Sequence, residues 1–476
     1  MLFNSLSYCL FLPVVLLLFS IAGSRWRWAV LLFSSYVFYG FLLKSLLLIV
    51  LTLVILMTFW IGRRMGISEV RPVRCLFLWV GIVFNLMPLV YMKYLPFLAQ
   101  NLNFLMRGLR PGFVFEVPAP MVSIGLSFFI FQAISYLADI YFRIAEPERH
   151  LGYFSLYLAF FPKLLQGPIE RAGDLLPQLK IPYVFHRENM RYGCLLFVWG
   201  LFKKIVIADR LGFYVDSVYN DVPSATGLPL IVATCAYAFQ IYMDFSGYTD
   251  MALGSARLFN INLTQNFNSP YLATSVADFW RRWHISFSRW IFDYVFEPLQ
   301  MQWRDWAKWG TAAALLVTFL VSGVWHGARW GFVIWGLLHG VYLVGSFFYR
   351  PLQKRWHKAL GLEKSGIVRL WQRLVTFALV SFAWIFFRAN SLSDAWHVVT
   401  RMLRLDRSTA VFHMSDYANL SLLAIGGAFF MCTLSLMADN GRRLFRSHLR
   451  WVFYYMLFFM VIFLGTGKAT FIYFQF

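Results

Sequence analysis

Three of the nine histidines, His284, His326 and His339, fall among apolar residues, where an imidazole has no water to meet. Imidazole is the side chain best suited to proton transfer near neutral pH, so these three are the first candidates for chemistry. His150, His186, His357 and His448 sit in polar or basic connections, and His397 and His413 follow Phe387; a surface position is the default for these six. His326 lies in Val321-Ser322-Gly323-Val324-Trp325-His326-Gly327-Ala328, at the junction of two apolar runs, and His339 lies about mid-way along Trp330–Tyr349. Two readings of His326 stand together: a hydrogen bond within a helix bundle, worth only about 1 kcal/mol, or a base facing a substrate. Gly323 and Gly327 favour the second, because missing side chains permit close backbone approach and leave room for a ligand. His339 reads as packing. Metal binding is disfavoured: one continuous helix would hold His326 and His339 roughly 20 Å apart, and no pair of histidines has the spacing of a helical zinc site.

Other polar groups mark breaks in the apolar pattern. Gln240, Tyr242, Asp244, Ser246, Tyr248, Thr249 and Asp250 crowd the end of the run Leu228–Phe245. Carboxylates inside a membrane are costly and usually functional, though Asp244, Asp250 and Asp139 could equally cap helices or pair with a cation. Between Arg143 and Leu228, the short apolar stretch Tyr153–Gln166 and the following Gly167-Pro168-Ile169-Glu170-Arg171 suggest a re-entrant or interfacial segment, and hence a cavity nearby. In Asp278–Leu299, helical spacing gathers Trp283, Phe287, Trp290 and Tyr294 into one stripe, with Trp280 beside it, and Arg282, Ser286, Arg289 and Asp293 into another. That pattern predicts one amphipathic interfacial helix, N-capped by Asp278 and ended by Pro298. His284 and Ser288 lie at the edge of its aromatic stripe.

The elements that position these groups are membrane spans. Of the residues, 60% are hydrophobic and 14% charged, and the mean hydropathy is +0.61; a bilayer must be the solvent for most of the chain. Runs long enough to cross the hydrocarbon are read at Leu6–Ala22, Trp26–Leu43, Ser45–Ile61, Cys75–Met92, Pro120–Phe142, Tyr192–Ala208, Leu228–Phe245, Lys308–Trp325, Trp330–Tyr349, Leu370–Phe387, Leu420–Ala438 and Trp451–Leu464. The first run lacks a basic leading region and a cleavage site, and is read as a retained span. The net charge of +21 gathers in short connections. Gly62–Arg74, Arg350–Arg369 and Asn440–Arg450 are basic, which places them in the cytoplasm and the N-terminus outside. Charge divided among loops argues against nucleic-acid binding. Cys9, Cys75, Cys194, Cys235 and Cys432 lack paired spacing and read as small core residues.

Taken together, Ile124–Tyr141, Phe160–Arg171, Gln240–Leu253, Asn266–Tyr271, Phe279–Leu299, Gly323–Ala328, Phe382–Asn390 and Phe471–Phe476 resemble the membrane-bound O-acyltransferases, in their bacterial alginate O-acetylation branch. The resemblance implies an all-α polytopic fold of about 11–12 transmembrane helices, with re-entrant and interfacial helices around a central tunnel. It implies a single integral domain, 1–476, made of N-terminal spans 1–119, a catalytic core 120–350 and C-terminal spans 351–476. It maps the family's catalytic histidine onto His326 and the second polar position onto His284, beside Arg281, Arg282 and Trp283. Arg281 and Arg282 suit the phosphates of a donor; Ser288, Trp325, Asp244 and Asp250 complete the substrate-binding candidates. A topology drawn from charge leaves His284 near the cytoplasmic side and His326 toward the outside.

The implied donor is acetyl-coenzyme A or another acyl thioester, with no tightly bound cofactor and no metal. The implied setting is the bacterial inner membrane, with exopolysaccharide synthesis and export machinery and periplasmic SGNH-type acetyltransferases as partners. After Pro298 the sequence departs from the alginate-type pattern, reading Leu299-Gln300-Met301-Gln302-Trp303, which admits a sibling polymer such as cellulose. D-alanyl transfer to teichoic acid and a transporter without acyl-transfer chemistry are the alternatives.

Overall fold

The computed structural model describes residues 1–41, 45–110, 114–119, 121, 123–225, 227–362, 365–404, 427, 449–465 and 471–472. All regular elements among them are helices. The first half contains α1 (Leu6–Ile21), α2 (Arg27–Gly40), α3 (Ser45–Ile67), α4 (Arg71–Leu89), α5 (Leu95–Leu109), α6 (Leu126–Tyr141), α7 (Leu151–Ala159), α8 (Phe161–Leu164), α9 (Ala172–Lys180), α10 (Arg187–Phe202) and α11 (Asp209–Tyr219). The second contains α12 (Leu228–Arg257), α13 (Val276–Trp280), α14 (Ile285–Ile291), α15 (Glu297–Gln302), α16 (Ala307–His326), α17 (Trp330–Ala359), α18 (Gly366–Arg388), α19 (Leu392–Arg401) and α20 (Leu449–Leu464).

Among the described residues, six helical runs are long and apolar enough to cross a membrane: Leu46–Ile67, Arg71–Leu109, Leu228–Arg257, Arg304–His326, Trp330–Ala359 and Gly366–Arg388. α1 and α6 are shorter apolar helices. The chain is thus an all-α polytopic membrane protein whose helices are less equal in length than the apolar runs suggest. The expected span Leu420–Ala438, with His413, Cys432 and His448, lies outside the described residues. Cys9 and Cys194 are exposed on the outer surface, so they are not core residues as their apolar neighbours implied.

Proline explains where the helical pattern was misjudged. Leu95 N–H bonds back to the Val90 carbonyl across a π turn, Val90–Tyr94, two residues before Pro96. Glu297 N–H does the same to Phe292 across Phe292–Phe296, two residues before Pro298. A proline ring collides with the carbonyl four residues back, and one wider turn relieves the collision without stopping the helix. The run from Arg71 therefore continues to Leu109, and Pro298 lies inside a helix that extends to Gln302, where an end was expected. The chain also fails to break after Phe245: α12 is continuous from Leu228 to Arg257. Its polar residues face protein, where Lys204 Nζ pairs with Asp244 at 2.5 Å and Asp209 at 2.8 Å, and Lys203 Nζ pairs with Asp250 at 2.6 Å.

Glycines set the closest helix crossing. α10 and α12 run antiparallel with Gly193 facing Gly254 and Gly200 facing Gly247. A Cβ on Gly247 would lie 2.7 Å from the Gly200 carbonyl oxygen, and one on Gly254 would lie 2.6 Å from that of Gly193. Small residues at matched seven-residue spacing let the backbones touch where lipid offers no hydrophobic drive. Gly247→Leu should therefore lower the thermal unfolding midpoint of the detergent-solubilised protein, overpacking of this kind costing about 1–3 kcal/mol. An unchanged midpoint would contradict the contact.

Candidate active site

His284 does not sit inside one continuous amphipathic helix. The segment breaks into α13, a turn and α14, and His284 forms the turn at φ +43°, a left-handed conformation that non-glycine residues seldom hold. Ser275, not Asp278, caps α13, its Oγ accepting the Asp278 N–H at 3.1 Å. Ser286, expected on the Arg282 stripe, is buried. Its Oγ accepts the Ile169 N–H at 3.0 Å and donates to Asn266 Oδ1 at 2.8 Å, joining the segment around Gly167 to the turn.

Asn266 fixes the protonation pattern of His284. Its Oδ1 also accepts the Ser286 backbone N–H at 3.0 Å, and a backbone N–H can only donate, so the atom is the oxygen. His284 Nδ1, 3.2 Å from that oxygen, must then carry its proton. The lone pair is left on Nε2, which has no hydrogen-bond partner among the described residues. The ring is fully buried, with the centroids of Phe245 at 4.7 Å, Phe287 at 5.1 Å, Phe128 at 6.2 Å and Trp325 at 6.2 Å.

His326 is the last residue of α16, and the chain reverses through Gly327 and Arg329 into α17. His326 and His339 are therefore on two helices, not one, and both rings meet Trp335, at 4.8 and 5.0 Å. Trp280 Nε1 donates to His339 Nδ1 at 3.2 Å, deep in the bundle. The His326 ring also meets Phe287 at 5.5 Å and Phe387 at 5.4 Å. Phe287 thus touches both His284 and His326, which are neighbours across one ring and not at opposite ends of a passage. Gly323 serves packing, whereas Gly327 both packs on Phe332 and lines a cavity beside His326. A Cβ on Gly323 would meet the Phe332 carbonyl and the Gly336 Cα, and one on Gly327 would meet the Phe332 ring.

A cavity of about 620 Å³ is lined by Trp325, His326, Gly327 and Arg329, by Lys93 and Gln100 of the α4–α5 run, and by Gln166, which precedes Gly167-Pro168. A second cavity, of about 570 Å³, is lined by Lys203, Asp250, Arg257, Tyr242 and Phe267. His284 lines neither, but its neighbours reach both: Phe128, at 6.2 Å, lines the first cavity, while Phe245, at 4.7 Å, packs at 5.1 Å on Phe267 of the second. The second cavity lies toward the end where basic connections gather, near Arg257 and the start of α10; the first lies toward the opposite end, near Gly327 and the loop before α6.

The remaining candidates divide. Trp325 lines the first cavity and stacks on Phe287 at 4.4 Å, and Asp250 lines the second. Asp244 is instead enclosed with Lys204 and accepts the Ile472 N–H at 3.0 Å. Arg281 and Arg282 turn to Asp278, at 3.8 and 3.0 Å, and line neither cavity; the cationic side chains in the wall of the second are Lys203 and Arg257. Ser288 Oγ donates to the Trp283 carbonyl at 3.1 Å, and Trp283 is sealed among Phe267, Phe279 and Trp384. Asp139 accepts from Tyr294 at 2.5 Å, a structural tie. Lys93, Asn266 and Gln166 escaped notice, although a lone lysine in a long apolar run is a signal that could have exposed the first.

The fold is that of a polytopic helical membrane protein, with a buried histidine, His326, in the wall of one cavity and a second cavity toward the other end of the bundle. Residues 149–388 match the profile of MBOAT, the membrane-bound O-acyltransferase family. The chain is 34% identical to the probable alginate O-acetylase AlgI of Pseudomonas aeruginosa, over 88% of this chain and 77% of the relative. It is 34% identical to that of Azotobacter vinelandii, over 92% and 84%. The peptidoglycan O-acetyltransferase of Helicobacter pylori is 32% identical, over 86% and 79%. The chain belongs to the membrane-bound O-acyltransferase family, in its alginate O-acetylase branch, and is an O-acyltransferase.

The Asn266 arrangement makes a direct prediction. Asn266→Ala deprives three donors of one acceptor, so stability should fall by about 1–3 kcal/mol, while Asn266→Asp, which still accepts, should fall less. Equal melting midpoints for both variants and the wild type would refute the network.

Proposed function

We propose that this chain moves an acetyl group from a cytoplasmic thioester, acetyl-coenzyme A, to an alcohol at the outer face of the bacterial inner membrane, for O-acetylation of an exported polysaccharide. Relatives named for alginate and for peptidoglycan O-acetylation support both the acetyl group and the polymer class. The observation that carries the reading is the position of His326 in the wall of a cavity on the side away from the basic connections, with a second cavity toward the basic end. The positive-inside tendency puts the basic end in the cytoplasm. The thioester then enters at the second cavity, where Lys203 and Arg257 offer charge to phosphate groups.

Neutral His326 accepts the proton of the acceptor hydroxyl as its oxygen adds to the thioester carbonyl. The carbon–sulfur bond then breaks, and the imidazolium returns the proton to the departing thiolate. His284, with Nδ1–H held by Asn266 and its lone pair on Nε2, orients the donor or relays that proton. Trp325 forms the apolar wall against which the acyl group lies. The acceptor hydroxyl belongs to a periplasmic SGNH-type acetyltransferase, which passes acetyl to the polymer beside the export machinery.

His326→Ala and His326→Gln, compared as folded protein in membrane vesicles, should reduce transfer from labelled acetyl-coenzyme A by roughly 10²–10⁴-fold, the usual worth of a general base. Well-folded variants with full activity would end the proposal. Label that crosses the membrane without becoming an ester would mark a transporter instead.

A further inference from the structure

Helix α16 ends at His326 without a cap of its own. Gly327 is extended, at φ −179°, and its N–H does not close the last turn. Three terminal carbonyls would be orphaned beside a cavity. They are bound instead from a distant part of the chain: Tyr94 Oη donates to the Val324 carbonyl at 2.9 Å, and Lys93 Nζ donates to those of Trp325 at 3.1 Å and His326 at 3.0 Å. Lys93 and Tyr94 close the π turn that precedes Pro96, so the proline-induced widening lies where these side chains meet the helix end. About two helical turns further on, Asn101 Oδ1 accepts from Trp330 Nε1 at 3.0 Å, gripping the other side of the His326 reversal.

Lys93 does more than fill a vacancy in helix chemistry. It lines the same cavity as His326, whose charged lining among the described residues is Lys93 and Arg329, with no carboxylate. An ammonium at a helix C-terminus meets the negative end of the dipole and satisfies two carbonyls at once. A hydroxyl could satisfy one carbonyl at far smaller desolvation cost, as Tyr94 does, so a lysine here is expensive for capping alone. We propose that Lys93 is a positioning residue for His326: it fixes the peptide that carries the imidazole and so sets the ring's place in the cavity wall.

This inference rests on His326 being the base, and its test separates the two. Lys93→Met keeps the length and packing of the side chain but removes charge and donors; Lys93→Arg keeps both. In vesicles with labelled acetyl-coenzyme A, Lys93→Met should lower kcat on the order of 10- to 100-fold, the scale of a misplaced catalytic group, with donor KM little changed. Lys93→Arg should restore most of the rate. Wild-type kcat in Lys93→Met would overturn the inference, as would equal losses in both variants that track the amount of folded protein. His326→Ala, run in parallel, reports on the parent reading: an active His326→Ala defeats that reading, whereas an inactive one beside a fully active Lys93→Met defeats this inference alone.

Discussion

A polar group in hydrocarbon must find its partner within the chain, and that constraint governs this structure more than any apolar contact does. Helix ends at membrane depth are its hardest case, because each leaves carbonyl or N–H groups without intrahelical partners. Lys93 and Tyr94 meet the problem at the end of α16, where three consecutive carbonyls are bound by side chains more than two hundred positions away in sequence. Asn266 meets it at the start of α14, where one amide oxygen serves the Ser286 N–H, the Ser286 hydroxyl and the His284 ring. In both places the groups that satisfy the backbone also stand beside a histidine. Fold and site are thereby held by the same bonds.

The same constraint shapes the charged interior. Lys204 lies between Asp209 and Asp244, and Asp244 also receives the N–H of Ile472, so one buried cluster ties α11, α12 and the chain's last described residues. Removing one member would strand the others, which is far costlier than never having placed a charge there. Arg171 plays a comparable part at the segment around Gly167, pairing with Asp293 at 2.7 Å while its guanidinium lies over Tyr294. Tyr294 in turn donates to Asp139 of α6. Carboxylates that look functional because they lie in apolar sequence can therefore be framework, and Asp139 and Asp244 are of that kind.

How much of this could be read in the sequence follows from what sequence periodicity can carry. Apolar runs of spanning length disclosed the all-helical membrane architecture, and the short, glycine- and proline-marked stretch around Gly167 disclosed irregular backbone beside a cavity, since Gln166 does line one. The aromatic stripe of Trp283, Phe287 and Trp290 was legible because those rings are indeed buried. Its continuity was not, because the turn at His284 rests on a left-handed residue that no helical pattern marks. Proline usually ends helices, so the pattern predicts a stop at Pro298; its effect here is a π turn, as at Pro96. Gly323 and Gly327 show the same limit. A glycine states that something comes close but not what, and here Gly336 and Phe332 come close.

Phe287 shows why the site could be named in part but not assembled. Nothing in its spacing distinguishes it from Trp290 or Tyr294, yet it is the ring on which His284, Trp325 and His326 converge. Aromatic rings have no hydration to lose, so they can pack closely around imidazoles in the interior of the bundle without leaving polar groups unsatisfied. The α4–α5 run then acquires a role that its position outside 120–350 did not suggest. By holding the His326 peptide from one side, while Phe387 of α18 packs on the ring from another, it makes the site a joint product of all three parts of the chain.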